Sequence, residues 1–270
     1  MRWCLWVESK KTACYITEIG DDRVGDSIVA FLENNGVSTQ FIHRYTGNSS
    51  LALAFLNQHN DAEYDFYKQY PEKRLSGEMP GVRAGDIVLF GSSFALNDEV
   101  RPQLVRFVSE ARRKGALIVY DPNYRKQQGQ DADALKEKIE ENIRLAHIVR
   151  GSHEDFYHIY GISDPDQVYH KLKDQCDTLI ITAGAGAVRG YSCGIAKIYK
   201  IPPMQTCSTI GAGDNFNAGI IAALIDLGLN GDEGYGFNEQ QMDHMMASGM
   251  AFSLEVCKSF ENYVPMDFCV

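Results

Sequence analysis

The chain has 270 residues, 44% of them hydrophobic and 23% charged, with a formal net charge of -10. That length suits one large α/β domain or two small ones, in an ordinary soluble globular protein. The acidic balance argues against non-specific nucleic-acid binding, which depends on Lys and Arg neutralising phosphates, but it leaves room for a local basic pocket.

The predicted elements follow in chain order. Val24, Ile28, Phe31 and Leu32 share one face of a helix. The stretch SLALAFLNQHNDAEYDFYKQY (50–70) alternates around a polar turn and predicts a β-hairpin outside the main sheet, in the manner of a lid. IVLF (87–90), ALIVY (116–120), HIV (147–149) and LIIT (179–182) are short unbroken apolar runs. Runs of this kind suit parallel strands covered on both faces. Leu135, Ile139 and Ile143 mark a helix between them, and Phe216, Ile220, Leu224 and Leu227 mark another near the end. The alternation predicts a doubly wound α/β fold with a mostly parallel sheet flanked by helices. A single domain over 1–270 is expected, with a small antiparallel β lid inserted at about 40–80.

The seven cysteines form no C-x-x-C pair, so free thiols are expected rather than a disulfide framework or a zinc knuckle. No apolar run approaches the roughly 18–20 residues of a membrane span, and the start lacks the features of a signal peptide. A cytoplasmic protein with no membrane or nucleic-acid partner is the expectation.

The sharpest chemistry lies in STIGAGDNFNAGII (208–221). Glycines let successive amides converge, and the helix that follows adds unpaired N–H groups and the positive end of its dipole. Gly211, Ala212 and Gly213 therefore read as an anion hole. Asp214 in the middle of it reads either as a helix cap or as a reactive carboxylate, and the tetrapeptide alone favours the cap.

The longer pattern Thr209, Gly211, Ala212, Gly213, Asp214, Phe216, Ala218, Gly219 resembles the C-terminal signature of the PfkB (ribokinase-like) family of sugar and nucleoside kinases. IGDDRVG (19–25), the hairpin strands, YDPNYR (120–125), RGSHEDF (150–156) and ITAGAGA (181–187) resemble further segments of that family, in the same order. The resemblance covers the chain from about Thr12 onward and is nearest to fructokinase and ketodeoxygluconate-kinase members. It implies a ribokinase-like fold, ATP as phosphoryl donor and Mg²⁺ as cofactor. It implies Asp214 as catalytic base beside the Gly211–Gly213 amides, with Thr182 and Gly184 near the nucleotide. Asn123 and Arg125 become candidates for substrate or γ-phosphate contact, with Lys68 on the lid as a third.

Asp155 stands where the family's N-x-x-E motif organises magnesium, with Ser152 in place of the asparagine. Hard oxygen ligands suit Mg²⁺, but the same two residues also satisfy the rules for a helix cap. HEDFYH (153–158) is not H-E-x-x-H, because its histidines are five apart. The chain has no G-x-x-x-x-G-K-[ST] and no G-x-G-x-x-G, so P-loop and dinucleotide-fold readings lose their support.

Two departures from the family pattern stand out. Ser208 replaces an aspartate that helps hold a monovalent cation, which puts dependence on such a cation in doubt. MRWCLWVESKK is too short for the strand, glycine loop and helix that carry the family's sugar contacts, so the chain looks N-terminally shortened, with a sheet strand left exposed. The expected activity is transfer of the ATP γ-phosphoryl group to a primary hydroxyl of a fructose-like sugar or keto-deoxy sugar acid. The alternative is a catalytically weak nucleotide- or sugar-binding member. The resemblance also makes a homodimer through the lid an expectation.

Overall fold

The strands form where the apolar runs predict them. The structure, a computed structural model, describes residues 4–7, 13–56, 62–124, 132–228, 235–265 and 268. The first part comprises β1 (Cys4–Val7), β2 (Ala13–Gly20), α1 (Arg23–Asn34), β3 (Ile42–Tyr45), β4 (Leu51–Leu56) and β5 (Ala62–Tyr67). The middle comprises β6 (Ile87–Gly91), α2 (Arg101–Arg113), β7 (Leu117–Asp121), α3 (Ala132–Leu145), β8 (Ile148–Ser152), α4 (His153–Tyr160) and α5 (Pro165–Leu172). The last part comprises β9 (Thr178–Thr182), β10 (Ala187–Ser192), β11 (Ile195–Lys200), α6 (Ala212–Asp226) and α7 (Glu239–Val256).

The main sheet has the order β11-β10-β9-β8-β7-β6-β1-β2-β3. β6, β7, β8 and β9 pair in parallel, as do β2 and β3, while β1 and β10 run against their neighbours. β4 and β5 pair separately as an antiparallel ribbon, the expected hairpin.

Strand alternation explains the unbroken apolar runs. Val88, Phe90, Ile118, Tyr120, Val149, Leu179 and Ile181 enter one core, with α2, α3, α4 and α5. Ile87, Leu117, Val119, Ile148, Ile180 and Val188 enter the other, with α6 and α7. Each strand is thus apolar toward both faces, the requirement of a doubly wound sheet. Each large aliphatic side chain so buried contributes about 1.5–3 kcal/mol.

The start of the chain departs from expectation. Cys4–Val7 forms a strand between β6 and β2, with Leu5 opposite both Leu89 and Tyr15. Without it, β6 and β2 would present unpaired backbone edges, and even four extended residues satisfy much of that demand. The edges of β6 and β2 expected to lie open are therefore paired, by a strand antiparallel to both.

α1 is the second departure. Asp22 caps it, accepting from Gly25 N at 2.8 Å, from Ser49 N at 3.0 Å and from Ser49 Oγ at 2.7 Å. These bonds, led by the Ser49 hydroxyl, hold the Asp22 pKa down to about 2. Yet its apolar stripe is only half covered: Phe31 is 47% exposed and meets Tyr263 edge-on at 5.3 Å.

His147, just ahead of β8, is buried and accepts a hydrogen bond from Ile118 N at its Nδ1, 2.9 Å away. Burial, with the Arg112 charge adding to it, lowers its pKa from 6.5 to about 3. Between those values the unfolded chain binds a proton that the fold rejects, so stability is full above about pH 6.5 and is lost as pH falls toward about 3. His147→Asn retains an acceptor and removes the titration. Denaturant midpoints taken from pH 7 to pH 4 are expected to fall less steeply for the variant than for the parent, and equal slopes would remove His147 from the account.

Candidate active site

The ends of β7, β8 and β9 converge beneath the first turn of α6. Gly211 caps that helix in the left-handed region, at φ 82°, which explains the first glycine of the turn. Asn215 Nδ2 donates to Gly211 O and to Asn262 O, both at 3.0 Å, so the segment after α7 passes over the turn. Ala212 N, expected as part of the anion hole, instead donates back to Thr209 O at 3.2 Å, while the amides that follow it in the first turn of α6 have no intrahelical acceptor, the helix-end geometry that favours anions.

Gly213 has a different reason. A Cβ there would lie 3.0 Å from Arg150 Nη1 and 3.4 Å from Nη2. The glycine leaves room for a guanidinium. Arg150 is 7% exposed, donates from Nη1 to Asp121 Oδ2 at 3.1 Å and from Nη2 to Thr182 Oγ1 at 2.8 Å, and lies 5.4 Å over the Phe216 ring. Asn217 Nδ2 donates to the same Asp121 oxygen at 2.7 Å, and Asn123 N donates to Oδ1 at 3.0 Å. Arg150 opens the RGSHEDF segment and Asn217 lies within STIGAGDNFNAGII, but the motifs give neither residue a role. The signal that was present is an arginine closing the apolar run HIVR (147–150).

Asp214 is exposed in the first turn of α6. Its charge reaches Tyr15 on β2, whose pKa is raised by burial first and by Asp214 second. Thr182 is buried at the end of β9, whereas Gly184 is exposed at the β9–β10 turn with φ 53°. Asn123 is half-buried after β7 in a left-handed backbone, φ 36°, and Arg125 lies outside the described residues. Lys68 follows β5, is exposed, and carries its Nζ 5.3 Å over Phe66, so it belongs to the ribbon and not to the strand ends. Ser208 is buried, and its Oγ accepts from Ile210 N at 3.2 Å.

Asp155 forms a capping box with Ser152 at the start of α4. Its Oδ2 accepts from Ser152 N and Oγ, both at 2.7 Å, and its Oδ1 accepts from Tyr124 N at 2.6 Å. Burial raises its pKa, the Asp121 charge adds to that, and the Ser152 bonds oppose both. A carboxylate has about four lone-pair positions, and three are taken. Asp121 likewise accepts three bonds. Neither offers a bare carboxylate to a cation, and among the described residues no group of three or more His, Cys, Asp or Glu converges as a metal site. Direct magnesium ligation does not fit this donor set; one water-mediated contact from Asp155 does.

Two cavities flank the sheet. One of about 450 Å³ is lined by Pro202, Met204, Ala251, Leu254 and Phe268 together with the charged Glu255 and Lys258. It runs beside the segment that leads into α6, which Cys207 N ties to Cys257 O at 2.8 Å. The other, about 380 Å³, opens at Asp177 and Cys193, by the start of β9 and away from the strand ends.

The model of the pfkB family carbohydrate kinases matches residues 8–258. The chain belongs to that family. Among curated pfkB relatives, it is 26% identical over 234 residues to "Probable fructokinase-6, chloroplastic" of Arabidopsis thaliana, covering 82% of this chain and 60% of that protein. It is 26% identical over 215 residues to the aminoimidazole riboside kinase of Salmonella typhimurium, covering 78% of this chain and 67% of that one. The chain thus spans about three fifths to two thirds of the length of these relatives. Its fold is similar to that of the Vibrio cholerae fructokinase solved with fructose, ADP and calcium ion, with a TM-score of 0.79 at 17% identity over 94% of this chain and 82% of that one. Like its pfkB relatives, the chain is an α/β protein with a small antiparallel sheet. No helix among the described residues is long and apolar enough to cross a membrane.

Asp155→Ala removes three accepted hydrogen bonds at once. A loss of about 1–3 kcal/mol is expected from the orphaned donors. Urea denaturation measures it, and an unchanged midpoint would mean that Asp155 is not bound into the box.

Proposed function

We propose that the chain is an ATP-dependent kinase that moves the γ-phosphoryl group to a primary hydroxyl of a small carbohydrate, fructose-like or a keto-deoxy sugar acid. What supports this reading above all is Asp214, an exposed carboxylate in the first turn of α6 immediately after a left-handed glycine cap. Phosphoryl transfer asks little covalent chemistry of a protein; it asks for position and for stabilisation of the charge on the moving group. The Gly211 and Gly213 amides would meet that charge, with Ala212 joining only by giving up its 3.2 Å bond to Thr209 O. Asp214 would accept the proton of the attacking hydroxyl, and the helix end that favours its ionised form keeps it a base.

ATP would lie with its phosphates toward the α6 end and Thr182, near Gly184. Its base would rest against the apolar cavity of Met204, Leu254 and Phe268. A divalent cation such as Mg²⁺ would arrive on the phosphates and neutralise part of their charge, with Asp155 touching it through water. Asn123 and Arg125 would face the acceptor or the γ-phosphate, with Lys68 approaching from the ribbon. The ribbon would act as a lid that excludes water. A monovalent cation finds no carboxylate at Ser208.

Release of ADP over a panel of sugars and sugar acids tests the reading. Asp214→Asn is expected to lower turnover by roughly 10²–10⁴-fold while ATP binding persists. Near-normal turnover in that variant would remove Asp214 from its role. ATP binding with no sugar-dependent ADP release in the parent would favour a nucleotide-binding member without effective transfer.

The ribbon is apolar toward both sides: Leu51, Leu53 and Phe55 alternate along β4, and Phe66 stands on the opposite face, all between 39% and 57% exposed. A homodimer through this surface is part of the proposal. Light scattering should give the mass of two chains, reduced to one by Phe55→Asp; a monomeric parent would end the idea.

A further inference from the structure

We infer that Arg150 is a positioning residue of the phosphate site: it sets the height of the α6 N-terminal turn and makes the Thr182 hydroxyl a donor toward a bound phosphoryl oxygen. This rests on the reading of that site as one for nucleotide phosphates.

The direction of the side chain follows from the strand. Ile148 enters the core beneath α6 and α7, Val149 enters the opposite core, and Arg150 returns to the α6 side. There the guanidinium spans the ends of adjacent parallel strands, bonded to Asp121 on β7 and to Thr182 on β9. Through Asp121 it is joined to Asn217 on α6. Above it, Gly213 supplies the missing side-chain volume. One planar fork therefore locates two strand ends and one helix start relative to one another.

The hydrogen-bond direction is fixed by chemistry. A guanidinium carries only donors, so in the 2.8 Å contact with Nη2 the Thr182 oxygen accepts. The hydroxyl's own hydrogen must then go to a different acceptor. A phosphoryl oxygen accepts, so the preset hydroxyl matches it without reorientation. Asp121 balances the charge of Arg150, and the pair acts through geometry more than through net field. Nε of Arg150 has no partner among the described residues, so the two terminal nitrogens carry its contacts. A lysine has no fork and cannot hold Asp121 and Thr182 in the same way.

The test is calorimetric titration with ATP of the parent chain, Arg150→Met, Arg150→Lys, Thr182→Val and the Arg150→Met/Thr182→Val double variant. Each of Arg150→Met and Thr182→Val is expected to weaken ATP binding by about tenfold, the scale of one lost hydrogen bond to a charged group. The double variant should be no more than about twofold weaker than either, because both changes remove one shared device. Arg150→Lys should recover only part of the loss. Parent-like affinity in Arg150→Met, or a double variant weakened by the product of the two single effects, overturns the inference. If the parent itself binds no ATP, the reading of the site fails, and the parent titration alone reveals it. Should Arg150→Met not fold, Gly213→Ala keeps both charges and adds a methyl 3.0 Å from Nη1. It should also weaken ATP binding by about tenfold, and unchanged affinity there overturns the inference equally.

Discussion

A buried ion pair, Arg150 with Asp121, joins the sheet to α6 and the glycine turn that opens it. Their side chains are 9% and 8% exposed. Taking two such charges out of water is costly, and a well-packed apolar pair of the same volume is often as stable or more so. The return lies in direction. Asp121 accepts from Arg150, Asn217 and the Asn123 amide, and Arg150 reaches Thr182. Losing either charge would leave the other buried alone, a far larger penalty than never having had the pair.

Two carboxylates a few elements apart differ in character. Asp155 is enclosed, with both oxygens engaged by Ser152 and Tyr124, and burial works against its charge. Asp214 is exposed at a helix start whose dipole favours its charge. Under the proposed reading, only the second would serve as a base for an arriving hydroxyl. The first shapes the β8–α4 corner and, with it, the backbone of Tyr124 beyond Asn123.

Much of the fold was legible because its strands are covered on both faces. IVLF, ALIVY and LIIT carry no alternation to misread, and the helices between them keep their period. The glycine turn ahead of α6 was legible too, because a left-handed Gly211 and a charged first turn leave marks in the chain. The closeness of Gly213 to a guanidinium was not, since Arg150 lies far earlier in the chain and local spacing holds no trace of that contact. β1 was missed because four residues are too few to show a period; its pairing is imposed by the open edges of β6 and β2. α1 shows the reverse. Its stripe is clear in the sequence, yet the described structure leaves Phe31 half in water, because amphipathicity states what a helix would bury and not what is there to cover it. Asp155 satisfied two rules at once in the sequence, and only its three donors show how it is held.

Behind the glycine turn, α6 and α7 cross almost backbone to backbone. A Cβ on Gly219 would fall 2.5 Å from Ser248 O, and one on Gly249 would fall 3.0 Å from the Phe216 ring. Neither helix can roll or slide at that crossing without collision. The consequence is entropic. A turn anchored to such a crossing has little freedom left to surrender, so if it receives a phosphate as proposed, the ordering cost of association would fall on the ligand rather than on the amides.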